Sequence, residues 1–113
     1  MKERRVVFFK KYFESFYRAL DRKSQKKALW TLRLLEELDQ IPEQYLKHIT
    51  GTFGLYELRF QQGRKIYRMF CWFDEGHLVV IGSGFQKKSR RTAKTELQRA
   101  LRIKENTMKK KII

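Results

Sequence analysis

The chain has 113 residues, 42% of them hydrophobic, with nine Phe, five Tyr and two Trp. That is one domain with a modest core, and so many aromatic side chains exclude a disordered chain. A single Cys excludes a disulfide framework or thiolate metal site, one Pro and six Gly exclude a linker tract, and the net charge of +15 points to a polyanionic partner.

The N-terminus is basic, but no apolar segment follows it. No signal peptide is therefore expected, and the expected location is the cytoplasm. No apolar run approaches the ~20 residues of a membrane helix. Residues 4–9, RRVVFF, predict a first strand. Phe13, Phe16, Tyr17 and Leu20 recur at helical spacing and predict a helix over 11–21. Asp21 and Ser24 offer caps for a second helix over 24–39, with Ala28, Leu29, Leu32, Leu35 and Leu38 on one face. Pro42 lies beyond its end, and a loop is predicted up to Thr52. Strands follow at 54–60, 65–73 and 77–85, joined by turns at Gly63 and at Asp74-Glu75-Gly76. A helix is predicted over 92–104, with a frayed tail from about residue 106. The expected fold is α+β: a small antiparallel sheet with the helical pair on one face and a C-terminal helix, in the order β-α-α-β-β-β-α.

Strand side chains alternate between faces. The register is predicted with Phe60 opposite Lys65 across a four-residue loop, and Asp74 opposite His77 across a two-residue turn. Tyr56, Leu58, Phe60, Tyr67, Met69, Cys71, Phe73, Leu78 and Val80 then form an apolar face for the helical pair. Cys71 reads as a small core residue. Phe70, Trp72, Val79 and Ile81 form a floor for the C-terminal helix. Glu57, Arg59, Arg68 and Ser83 form a polar patch beside that floor.

The charge concentrates next to this patch. Residues 1–56 hold 12 Lys/Arg against 7 Asp/Glu, and residues 57–113 hold 15 against 5. After Phe85 comes QKKSRRTAK, in which Lys87, Lys88, Arg90, Arg91 and Lys94 have no acid among them. The segment leaves the sheet at the end where Gln62, Gly63 and Arg64 turn. Nucleic acid is the favoured partner, ahead of an anionic membrane surface or an acidic protein. The patch and the basic segment can hold a phosphate backbone from two sides, with Lys47, Arg64, Arg90, Arg91 and Lys94 as further RNA-binding candidates. Tyr67, Trp72 and Phe85 are stacking candidates by residue type. His48 and His77 lie far apart with no companion ligands, so neither a metal nor a cofactor is expected.

GLYELRF, then YRMFCWFD, then Gly84-Phe85 with Lys87 and Lys88, then a basic helix, resemble the RelE/ParE toxin superfamily, and most closely its HigB-like branch. LKHITGTFG, before them, is similar to the same branch. The resemblance implies a microbial RNase fold and a toxin of a type II toxin–antitoxin pair. Relatives of this kind cleave mRNA on the ribosome and are silenced by an antitoxin, often a helix-turn-helix protein. Other members of the superfamily poison DNA gyrase. Many members carry a catalytic His or Tyr near the C-terminus, whereas here neither occurs beyond Phe85, and Arg91-Thr92-Ala93 lacks the usual Pro.

For a ribonuclease, Arg59 and Arg68 suit transition-state stabilisation, because their planar forks match phosphate oxygens. Lys87 and Lys88 suit phosphate binding, and one of them general acid catalysis. Glu57 suits a general base or, alternatively, an anchor that orients the arginines. A gyrase poison or a noncatalytic nucleic-acid-binding module remains open on the residues alone. The Lys/Arg-rich helix faces near 22–33 and 94–104 are candidate antitoxin surfaces.

Overall fold

A computed structural model describes the backbone of residues 4–112 and the side chains of residues 4–107. The expected end of the last helix near 104 and the frayed tail from about residue 106 are corrected: the backbone is helical to Ile112. The elements run β1 (Arg5–Phe8), α1 (Tyr12–Arg18), α2 (Arg22–Glu37), β2 (Leu46–His48), β3 (Leu55–Gln62), β4 (Lys65–Asp74), β5 (Leu78–Gln86) and α3 (Arg90–Ile112). The fold is α+β, with one five-stranded sheet in the order β1-β5-β4-β3-β2. Two features differ from the expected antiparallel sheet of four strands. β1 pairs with β5 in parallel, and β2 adds an edge strand where a loop was predicted. Among the described residues, no helix is long and apolar enough to cross a membrane.

The sheet separates two cores. Phe13, Ala28, Leu32 and Leu35 of the helical pair pack on Leu58, Phe60, Tyr67, Met69 and Cys71. Ala100 and Ile103 of α3 pack on Leu55, Phe70, Trp72, Val80 and Phe85 of the opposite face. Burial pushes the Cys71 thiol up to about 12, as suits a core residue. Asp21 caps α2, its Oδ1 accepting the Ser24 amide at 2.8 Å. The buried face of α2 carries Ser24 and Thr31 in place of Leu29 and Leu38, which are 46% and 37% exposed. Thr31 enters the core without an unpaired hydroxyl, because Oγ1 donates to Lys27 O at 2.8 Å.

Both hairpin registers differ from the predicted ones. The first turn holds two residues, Gly63 and Arg64, so Gln62 pairs with Lys65. That two-residue slide leaves every β3 and β4 side chain on its predicted face. The second loop holds three residues, with Asp74 opposite Leu78. The one-residue shift turns Val79 and Ile81 toward the helical pair and Val80 toward α3, the reverse of the prediction. A bulge then restores the phase: Cys71 pairs with Ile81 and Phe70 with Ser83, leaving Gly82 as the extra residue. A Cβ at Gly82 would lie 2.9 Å from the Trp72 ring, and one at Gly84 would lie 2.7 Å from the Phe16 ring. The absence of side chains at both positions therefore lets an aromatic ring close on each face of β5.

Candidate nucleic-acid interface

Alternation along β3 and β4 places Glu57, Arg59 and Arg68 on the α3 side of the sheet, at the end that α3 leaves uncovered. Arg59 and Arg68 are directly opposite in the ladder, and Glu57 lies opposite Phe70. Like charges facing each other across a strand pair are unfavourable unless an anion joins them. Glu57 is that anion. Its Oε1 accepts Arg59 Nε at 2.6 Å and lies 3.2 Å from Arg68 Nε, and its Oε2 accepts Arg68 Nη1 at 3.4 Å. The side chains are 9% exposed for Glu57, 18% for Arg68 and 34% for Arg59. The carboxylate is thus mostly covered while the two arginine side chains are more open, an arrangement suited to receiving a second anion from outside.

The flanking strands supply further cations. Lys47 on β2 lies opposite Glu57 and is exposed. The Lys87 amide donates to Ile66 O at 2.7 Å, continuing the β4–β5 ladder by one rung. Lys87 therefore shares the face of Arg68 and Phe85, and its side chain is exposed, as is that of Lys88. Arg64 is exposed at the tip of the first hairpin, at the same end of the sheet. Arg90, Arg91 and Lys94 are exposed on the first turns of α3. That helix starts two residues earlier than predicted, because Ser89 Oγ accepts the Thr92 amide at 3.2 Å.

Other expectations are corrected. Tyr67, Trp72 and Phe85 are 3%, 4% and 7% exposed, so all three are core residues rather than stacking platforms. Ser83 is buried opposite Phe70 instead of lining the polar patch beside Arg68. Sequence reasoning missed an open groove of about 430 Å³ that reaches Arg59 and Arg68 and is walled by Lys27, Gln44, Tyr45 and Ile66. Its distant wall comes from α2 and the loop before β2, which no local motif connects to β3. His48 points away from the patch, its ring edge-on to Tyr56 at 5.3 Å. Among the described residues, no three His, Cys, Asp or Glu side chains group so as to hold a metal ion.

The family described as Phage derived protein Gp49-like (DUF891) matches residues 15–105, most of the chain and all of this patch. The protein belongs to that family. Gp49-like proteins are a RelE/HigB-type toxin family of toxin–antitoxin systems, and membership implies a cognate antitoxin. No curated protein matches the sequence. In this Gp49-like chain the matched segment contains every strand from β2 to β5, and so all the residues that build the arginine cluster.

Proposed function

We propose that the protein is a HigB-like toxin that cleaves mRNA on the ribosome without a metal ion and is held silent by a helix-turn-helix antitoxin. The observation that carries this reading is the Arg59–Glu57–Arg68 cluster: two arginines paired to one carboxylate and lining an open groove on one sheet face, with Lys87 on the same face. A scissile phosphate seated on the arginines would meet their planar donors without rearrangement, which is the preorganisation that stabilises a charged transition state. The cations of the site take the part that metal ions play elsewhere.

The reaction assigned to it is transesterification. The substrate 2′-oxygen attacks the adjacent phosphorus, and its proton passes to Glu57 Oε2. That oxygen has the longer 3.4 Å contact, while Oε1 anchors both arginines. The bond from phosphorus to the 5′-oxygen breaks, and Lys87 gives that oxygen a proton. The products are a 2′,3′-cyclic phosphate and a 5′-hydroxyl. Lys88, Lys47, Arg64, Arg90, Arg91 and Lys94 hold flanking phosphates.

Glu57→Gln tests the division of labour. The amide keeps an oxygen for the arginines but cannot take a proton, so cleavage should fall by about 10²–10⁴-fold while RNA binding stays near the parent value. Retention of cleavage within about fivefold would make Glu57 an anchor only and would remove it from proton transfer.

A further inference from the structure

Trp30 has no part in the chemistry above, yet it is 41% exposed on α2, while Trp72, the second tryptophan of the chain, is buried. The Lys27 ammonium lies over the Trp30 ring, 4.1 Å from its centroid. The Tyr45 ring meets Trp30 edge-on, with centroids 5.8 Å apart. Lys23, Lys26, Lys27 and Trp30 stand at i, i+3, i+4 and i+7, one face of the helix. With Gln62 they line an open groove of about 460 Å³ that has no acidic residue in its walls. Lys27 also walls the groove of Arg59 and Arg68, so the two grooves adjoin.

The way between them crosses an open sheet edge. β2 pairs with β3 only as far as Leu58, and Tyr45 O then takes the Arg59 amide at 2.7 Å. Beyond that point, no strand among the described residues pairs with Phe60–Gln62 on this side. A chain lying on the arginines can therefore cross the unpaired edge toward α2, where Lys27 is common to both grooves. Two features of the second groove match single-stranded nucleic acid in particular. Lysines along one helix face suit successive phosphates, and an exposed indole with a cation over its ring suits a base plane.

We propose that Lys23, Lys26, Lys27 and Trp30 form a second station for the RNA strand, which leaves the arginine groove across the β3 edge, places phosphates on the lysines and stacks one base on Trp30. Lys27 exchanges its place on the indole for a phosphate as the base arrives. The inference rests on the nucleic-acid reading of the arginine cluster and extends it from a cleavage point to a path.

Trp30 supplies its own test, since the buried Trp72 contributes a background that a ligand cannot reach. The probe is a fluorescein-labelled 2′-O-methyl RNA of about twelve nucleotides, which lacks the nucleophile and is bound without being cut. Tryptophan emission and probe anisotropy are followed together on the full chain. The expected result is quenching of emission with the same midpoint as the anisotropy. Trp30→Ala should abolish the quench and weaken binding about tenfold. The double variant Lys23→Gln/Lys26→Gln should weaken binding and lower the log–log salt slope by about 0.7 for each lost contact. All three positions are exposed or half-exposed, and thermal melts should match the parent. Probe binding with no quench, and with unchanged affinity in both variants, would overturn the second station while leaving the arginine reading intact. Quenching by a poly-Glu peptide but not by the RNA would assign the face to an acidic protein and also overturn it. If Arg68→Ala cleaves as the parent does but the quench and the lysine dependence persist, the assignment of cleavage to the arginine cluster fails and the RNA path stands.

Discussion

Arg68→Ala separates catalysis from folding because the structure makes its two costs unequal. The substitution removes one of two guanidinium forks, but Glu57 keeps Arg59 Nε at 2.6 Å and is not left as an unpaired buried anion. Arg68 is itself 18% exposed, so its ion pair is partly solvated and its removal should cost about 1 kcal/mol. For a domain of this size that lowers Tm by about 4–8 °C and leaves the protein folded at 25 °C. Loss of a cation aimed at the transition state costs about 10²–10³ in rate, or about 2.7–4 kcal/mol. Arg68→Lys keeps the charge without the planar fork and should lose about tenfold. The assay is single-turnover cleavage of mRNA in a purified translation complex, run beside a thermal melt of each variant. An Arg68→Ala protein that cleaves within about threefold of the parent would refute the assignment, since the cluster would then be a structural ion pair only.

The packing makes two further predictions. Gly84→Ala drives a Cβ to 2.7–2.8 Å from the Phe16 ring, which is wedged between α1 and the sheet, and should destabilise by about 1–3 kcal/mol; an unchanged denaturation midpoint would show that α1 yields freely. Asp21 accepts hydrogen bonds from Lys65 and from the Ser24 amide and hydroxyl, which lower its pKa from 3.8 to about 2. Since the folded value lies below the unfolded one, the contribution is full above about pH 4 and is lost as pH falls toward 2. The Tm gap between parent and Asp21→Ala should therefore be widest above pH 4 and shrink toward pH 2, and a gap that stays constant would contradict the pairing.

How far the sequence could be read depended on how many alternatives each pattern allowed. On β3 and β4, charged and apolar residues alternate strictly enough that a register error of two left Glu57, Arg59 and Arg68 together. LVVIGSG on β5 is apolar on both faces, so nothing in it marks phase, and the combined effect of a three-residue loop and the Gly82 bulge was invisible. β2 has only three residues, Leu46–His48, too few to show a period. β1 pairs across the chain with β5, and parallel pairing leaves no turn signal. Thr31 displaced Leu29 from the core because its hydroxyl bonds within the helix, which hydrophobicity alone does not register. The arginine cluster was legible because it is built from adjacent strands. The groove at Tyr45 and Lys27 was not, because its walls meet only after α2 has folded onto β3.

If the arginine cluster cuts RNA, the chemistry of the ends it leaves reports on it without an intermediate step. After brief induction of the parent and of Arg68→Ala, transcript ends can be captured by ligation selective for 5′-hydroxyl RNA. The parent should give new 5′-hydroxyl ends within translated regions, paired with upstream 2′,3′-cyclic phosphates, and the variant should lose them at equal protein level. Intact transcripts accompanied by broken DNA, or the same ends persisting without Arg68, would contradict it.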